Sequence, residues 1–336
     1  MTDLPLVTIV IPVRNEEDAV EGCIRAIASQ TYPREEIELI MSDGLSDDHT
    51  VALAEATANA VGLRFRLVTN ANCGISSGLN AALATARGEV VVRVDARARI
   101  QPTHVSDCVE TLIARPEVGV VGGRQIALPR SDRTIDVGIA RALRNRYATG
   151  LARYRSSTRS GATDTVWMGT FRRDDLRRLG GWDEKLELNE DYDLNRRYRL
   201  AGWLVWFDSR LSSGYLPRRD LASLALQHYR FGRAKGRLWA RGDGGIVPRH
   251  VFLVAAPPLA LVAVVVGSRR FGAVRAMAAT AAIPFLVDAV GEQGPRANLQ
   301  CRAVSSVAMS IVGSSWWAGV VAGVVGAVRR GEHEAP

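Results

Sequence analysis

The sequence predicts an α/β fold on a mostly parallel sheet, and three observations lead there. Short β-branched, apolar runs recur at 6–13, 37–42, 64–69 and 89–94. Each is followed, after a polar turn, by a segment with helical patterning, and such alternation makes βαβ units. Acidic residues also stand where apolar runs give out: Asp43 after IELIMS, Asp95 after EVVVRV, and Asp191 in ELNEDYDL. A carboxylate at the carboxyl end of a parallel strand opens into the crevice where such sheets bind ligands.

In order, 6–13 reads as a buried strand ending near Pro12. Residues 16–30 follow as a helix, with Val20, Ile24 and Ile27 on one face. Strand and helix alternate again at 37–42 and 47–60, at 64–69 and 75–87 (closed by Gly88), and at 89–94 and 102–114. The 118–128 segment returns to strand character. WMGTF after Val166 is a further strand, DDLRRLGGWDE starts a helix that breaks at Gly180-Gly181, NEDYDLNRRYRLAG is an amphipathic helix, and WLVWF at 203–207 is a strand.

The turns carry the chemistry. Asn15-Glu16 lead into a helix whose unpaired N–H groups favour an anion or a polar ring. In Ser42-Asp43-Gly44-Leu45-Ser46-Asp47, Gly44 permits a left-handed backbone and Ser46 or Asp47 can cap the next helix. That accounting leaves Asp43 spare to accept from a nucleobase N–H. Gly74 and Gly78 put two sparse positions on one helix face, which allows close packing under a ligand. In NEDYDLNRR the spacing also allows a plainer account, with Asp191 capping the helix or pairing with Arg196 or Arg197.

Together these segments resemble glycosyltransferase family 2, the inverting GT-A enzymes that use nucleotide-diphospho-sugars. The resemblance covers about residues 5–240 and rests on ordered motifs: PVRNE at 12–16, DGLSDDHT at 43–50, NCGISSGLN at 72–80, RGEVVVRVDAR at 87–97 and NEDYDLNRR at 189–197. The RVDA stretch and the apolar tail are most similar to succinoglycan-biosynthesis-type members. The resemblance implies a GT-A, Rossmann-like domain. Pro12, Arg14, Asn15, Glu16 and Asp43 would hold the nucleotide, and Gly74, Asn80 and Arg87 would join the substrate-binding set. Asp95 would lead the Asp-x-Asp motif that holds the sugar-nucleotide and a divalent cation, Mg²⁺ or Mn²⁺. Asp191, beside Glu190, would be the base that deprotonates the acceptor. Position 97 departs from the pattern: Arg97 stands where the family has a cation ligand, and a guanidinium cannot coordinate a metal but can pair with phosphate. Gln227-His228-Tyr229-Arg230-Phe231 resembles the Gln-x-x-Arg-Trp segment of processive members, which makes Arg230 a candidate for a phosphate.

Composition bounds the rest. The chain has 336 residues and a net charge of +8. No acid occurs between Val137 and Thr163, where Arg141, Arg144, Arg146, Arg153, Arg155 and Arg159 crowd together. That stretch suits anionic lipid or a polyprenyl diphosphate, and without interleaved aromatics it does not suit nucleic acid. Four dispersed cysteines argue against a zinc site or a disulfide framework. No secretory signal is visible at the N-terminus. Residues 251–267 and 303–328 carry no charge, whereas 271–290 is interrupted by Arg275, Pro284 and Asp288. A spanning helix needs roughly 20 apolar residues. The expected organisation is therefore a cytoplasmic transferase domain over 1–240 and two to three spans over 250–330 of a multi-pass membrane protein. Its partners would be a nucleotide-sugar donor and a glycan or polyprenyl-linked lipid acceptor. Two rivals are a nucleotidyltransferase, which would want a Lys-containing phosphate loop that PVRNEE lacks, and a degenerate, nucleotide-binding membrane scaffold.

Overall fold

The computed structural model describes residues 4–147, 153–242 and 297–330, with scattered residues between 250 and 289. The chain divides into two compact units, one of residues up to 126 with 157–216 and the other of 127–156 with 217–336.

The first unit is an α/β domain. Its helix–strand alternation runs β1 (Val7–Val13), α1 (Glu17–Ala28), β2 (Ile37–Asp43), α2 (Thr50–Ala60), β3 (Arg64–Thr69), α3 (Ile75–Thr85), β4 (Val90–Arg93), β5 (Ala98–Ile100), α4 (His104–Ala114) and β6 (Val118–Ala127). The described strands make one nine-stranded sheet, in which β3-β2-β1-β4 are parallel neighbours. β1, β2 and β4 are almost wholly buried, which is why they read as continuous apolar runs. In this order β2 and β3 lie on one side of β1 and β4 on the other, so the strand order reverses beside β1, where ligand crevices form. Register puts Val13 opposite Asp43 and Asp43 opposite Thr69, so these strands end together.

Beyond α5 (Thr134–Arg144) and a one-turn α6 (Arg153–Ser156), the sheet continues with β7 (Gly161–Ala162) and β8 (Trp167–Arg172). Next come α7 (Arg173–Arg178), α8 (Glu190–Leu200) and β9 (Leu204–Tyr215). β8 is antiparallel to β4 and β6, and β9 to β5 and β7. α7 stops at Gly180 and Gly181, whose φ of 81° and 67° are the left-handed values a helix end favours. β9 runs past WLVWF through a polar stretch because Asp208, 3% exposed, is satisfied there by Thr111 and Arg210.

The second unit holds α5, α9 (Leu221–Ala240) and the C-terminal helix Leu299–Arg329. That last helix is 31 residues long, with a mean hydropathy of 1.7 over its most apolar window, and among the described residues it is the one long and apolar enough to cross a membrane. Most of the uncharged stretch 251–267 and most of 271–290 lie outside the described residues. Gly232 and Gly236 of α9 lie against the C-terminal helix backbone at Trp316 and Val320, and Gly319 and Gly323 lie against that of α9 at Tyr229 and Arg233. A Cβ on Gly232 would fall 2.0 Å from the Trp316 carbonyl oxygen, and one on Gly323 would fall 2.2 Å from that of Arg233. Arg141 is 7% exposed and is spent on Asp288, at 2.7 Å from Nε, while Arg144 donates to the Ala127 carbonyl. The Arg141 guanidinium is therefore not laid out on the surface for an anionic lipid, as the acid-free stretch had suggested.

With no room for a methyl group at that crossing, Gly236→Ala should destabilise the second unit by roughly 1–3 kcal/mol. A lower melting temperature of the purified chain, with the secondary-structure content of the folded state unchanged, is the expected reading.

Candidate active site

Two turns at the sheet edge are laced together. Asn15 (φ 53°) exchanges side-chain hydrogen bonds with Asp47, donating to Oδ1 at 2.7 Å and accepting from its N–H at 3.0 Å. The Asn15 N–H donates to Ser46 Oγ, and Glu16 N–H to Thr50 Oγ1. Asp43 is not spare: Ser46 donates to it twice, from Oγ at 2.6 Å and from N–H at 3.1 Å. Asp48, not Ser46 or Asp47, serves the first turn of α2, accepting from the Thr50 N–H at 2.9 Å. Each Asp43 oxygen keeps a second lone pair for a ligand. Pro12 pairs with Ser42 across β1 and β2, and Arg14 is exposed on the same turn.

At the β3–α3 turn, Cys73 takes φ 56° and Gly74 caps α3 in an extended conformation. The space above Gly78 is filled by Asn70 Nδ2 and Ser42 Oγ, 3.0 and 3.2 Å from where a Cβ would sit. Gly78 therefore lets α3 settle on the sheet rather than on a ligand. Asn80 is also engaged: its amide accepts from the Trp182 N–H and donates to the Trp182 carbonyl and to Glu184. Two open grooves of about 480 and 340 Å³ flank this contact, and Asn80 and Glu184 line both. Neither groove is lined by Asp43, Asp95 or Asp191. Arg87 precedes β4, at the sheet edge opposite Asp43 and Asp95, where its backbone joins Glu38 and Arg173. Its motif is contiguous with Asp95, but the intervening strand carries the two residues apart.

The centre of the site is a residue the motif reading passed over. Arg93, the last residue of β4 and 4% exposed, donates from Nε to Asp95 Oδ1 at 3.0 Å. Its Nη1 lies 2.8 Å from Glu190 Oε1 and 2.6 Å from Asp191 Oδ1. Burial opposes the charge on Arg93, but the three carboxylates outweigh it and raise its pKa. Asp95 is further fixed by Trp167, whose Nε1–H donates to Oδ2 at 3.0 Å, while its own N–H points to Met168 Sδ. Met168 (φ 51°) and Asn189 (φ 69°) take left-handed backbone beside these contacts. The plainer account of the helix does not hold for Asp191, because Arg197 pairs with Asp193 at 2.8 Å. Burial lifts the Asp191 pKa to about 7; Arg93 pulls it down, while Glu190 and Asp95 push it up.

Arg97 lies in the loop after β4 and pairs through Nε with Glu16 Oε1 at 3.2 Å, each side chain about one-fifth exposed (20% and 21%). This joins the PVRNE turn to the position that departs from the family pattern. Arg230 stands exposed on α9, in the second unit. A sequence signal for Arg93 existed: an arginine inside EVVVRV, a run buried on both faces, requires acidic partners. Trp167 and Met168 gave none.

A divalent cation would find one carboxylate here, Asp95, with both oxygens already accepting and a guanidinium two residues on. Among the described residues no three His, Cys, Asp or Glu side chains group to hold a metal. The donor set fits an ion completed by substrate phosphates, as Mg²⁺ is often bound, and not one caged by protein.

A parallel half-sheet with carboxylates gathered at its switch point defines a transferase of the GT-A type. The Glycosyl transferase family 2 profile matches residues 8–180, and the chain belongs to that family and is a glycosyltransferase. It is similar to the succinoglycan biosynthesis protein ExoA of Rhizobium meliloti, 27% identical over 75% of this chain and 76% of that one. It is also similar to the glycosyltransferase AglE of Haloferax volcanii, 25% identical over 75% and 79%. Among solved structures, the mannosyltransferase PcManGT from Pyrobaculum calidifontis, in complex with GDP-Man and Mn²⁺, matches with a TM-score of 0.66. That match is 22% identical and covers 96% of this chain and 88% of the other. At that identity the likeness is one of fold.

Removing Arg93 leaves the buried Glu190 and the partly buried Asp191 and Asp95 without a counter-charge. Arg93→Met should cost about 3–5 kcal/mol near neutral pH. Asp191, whose pKa burial already raises, also loses the one charge that pulls it down, so the deficit should shrink as pH falls and return as it rises through the folded pKa. Denaturant titrations at about pH 5 and pH 8 check both size and sign.

Proposed function

We propose that this glycosyltransferase moves a sugar, with inversion, from a nucleotide-diphospho-sugar to a glycan or polyprenyl-linked lipid at the cytoplasmic face of the membrane. The product would serve exopolysaccharide or cell-envelope glycan synthesis. The observation that carries the reading is Asp191. It sits in the first turn of α8, tied through Arg93 to Asp95 at the switch point, and its raised pKa suits a base near neutral pH.

In that reading the acceptor hydroxyl oxygen attacks the anomeric carbon as Asp191 takes the hydroxyl proton. The bond from that carbon to the diphosphate oxygen breaks on the opposite face, and the departing diphosphate keeps the electron pair. Arg93 holds Asp191 in place and ionised against the burial that favours its protonated form. Glu190 shares the same guanidinium nitrogen and fixes its orientation. Asp43 and the laced Asn15–Asp47 turns would hold base and ribose. A divalent cation, when bound by Asp95 and the donor phosphates, would supply positive charge to the leaving diphosphate. The GDP-Man and Mn²⁺ held by PcManGT support both the donor class and the cation. ExoA supports the exopolysaccharide assignment.

The Leu299–Arg329 helix supports the membrane assignment. Its exposed valines, Val307, Val321, Val325 and Val328, fall at helical spacing on one face of an uncharged run. Arg329 and Arg330 follow it, where long basic side chains reach headgroups.

The deciding experiment is transfer by the purified chain across UDP-, GDP- and dTDP-sugars, with membrane extract as acceptor source, with and without Mn²⁺ or Mg²⁺. Asp191→Asn should abolish transfer while leaving nucleotide binding intact. In the parent, turnover should fall as pH drops below about 7, when Asp191 takes up a proton. Nucleotide binding with no turnover under any of these conditions would favour the degenerate scaffold.

A further inference from the structure

The chemistry of position 97 points further, given the nucleotide-diphospho-sugar reading. We infer that Arg97 is a direct ligand of the donor's diphosphate, so that nucleoside diphosphate binding retains an arginine-dependent part when divalent cations are removed.

Three observations carry this. Arg97 stands in the loop leaving β4, two residues beyond Asp95, and its carbonyl accepts from the Leu216 N–H at 3.0 Å, which fixes the loop. Its guanidinium is 20% exposed and is held by Glu16 through Nε, at 3.2 Å. Among the described residues no hydrogen bond is made by its terminal nitrogens, and that pair can meet two phosphate oxygens at once. Arg93 is its opposite, buried and with three carboxylates against it. The third observation is Asp95, whose two oxygens already accept from Arg93 and Trp167. A carboxylate so occupied binds a cation less readily than an open one.

Glu16 then acts as the counter-ion that keeps the guanidinium extended over the crevice before the donor arrives. Its contact to Nε need not break, because the diphosphate approaches the other two nitrogens. Positive charge that the family pattern supplies through a cation held by a second ligand is here supplied partly by the chain itself.

The test is calorimetric binding of UDP, GDP and dTDP, and of the matching nucleosides, to the full chain in Mn²⁺ and in excess EDTA. The parent should keep measurable diphosphate binding in EDTA. Arg97→Gln should weaken it by about tenfold or more, the loss of a charge-assisted contact, while nucleoside binding stays unchanged. Arg97→Lys should fall between the two, and Arg97→Asp should bind diphosphates only with Mn²⁺; a thermal melt confirms that each variant is folded. Parent binding that vanishes in EDTA, or an Arg97→Gln affinity equal to the parent's there, would overturn the inference while leaving the donor reading intact. Absence of binding to every nucleotide in both media would overturn the donor reading, and the inference with it.

Discussion

One guanidinium, that of Arg93, holds Asp95, Glu190 and Asp191 within 3.0 Å of its nitrogens, and the site has its shape because of it. Burying an unpaired arginine costs several kcal/mol, and so does burying an unpaired carboxylate. β4 and the first turn of α8 are therefore conditions of each other: neither can keep its charged residue at this depth without the other. Apolar packing would let a helix slide by a fraction of a turn. A planar fork committed to three acids does not. The same arrangement leaves two negative charges in excess, which is part of what holds Asp191 above the ordinary carboxylate range. Structural anchoring and the tuning of a base are one interaction here.

The backbone is also strained near this edge. Among the described residues, five that are not glycine take positive φ: Asn15, Leu45, Cys73, Met168 and Asn189. They stand at the turns after β1, β2 and β3, beside Asp95, and before Glu190. Such conformations persist where the surroundings over-determine them and tend to mark functional positions. The surroundings are visible in the Asn15–Asp47 exchange and in the Asn70 side chain that donates to the Gly74 carbonyl at 2.7 Å beside Cys73. The buried strands β1, β2 and β4 supply the stability that allows this departure from relaxed geometry. The pattern locates the site without reference to any motif.

Much of this was legible in the sequence, for physical reasons. Strands buried on both faces must be apolar throughout, so β1, β2 and β4 announced themselves; their ends placed Asp43 and Asp95 at one edge. The three-residue β5 is too short for any periodicity, and the polar half of β9 is a strand only because partners distant in sequence, Thr111 and Ala98–Ile100, meet it. Asp43 reads as spare because local capping rules favour Ser46 or Asp47 as a helix cap, whereas Ser46 turns back to the aspartate and Asp47 to Asn15. Asn80 and Arg87 belong to the right motifs, yet one is consumed by the Trp182 loop and the other lies across the strand from the chemistry. Motif membership follows the chain, and proximity follows the sheet. Arg93 could have been found by asking what pays for an arginine inside a buried strand.

The second unit shows what its helices are adapted to. In water a helix pair is held by large apolar side chains withdrawn from solvent; in lipid that gain disappears, and close backbone approach and polar contacts hold helices instead. α9 and the C-terminal helix meet through Gly232, Gly236, Gly319 and Gly323, with carbonyl oxygens where side chains would otherwise stand. α5 is tied by Arg141 to Asp288, which also accepts from Arg302 and Ser305. Asp288 was one of the interruptions that made 271–290 look like a poor span. Paired in this way it is a polar fastening between helices, the form in which ionisable residues are tolerated at membrane depth. Small residues at the crossing and a satisfied ionic cluster are features shared by helices that pack in lipid.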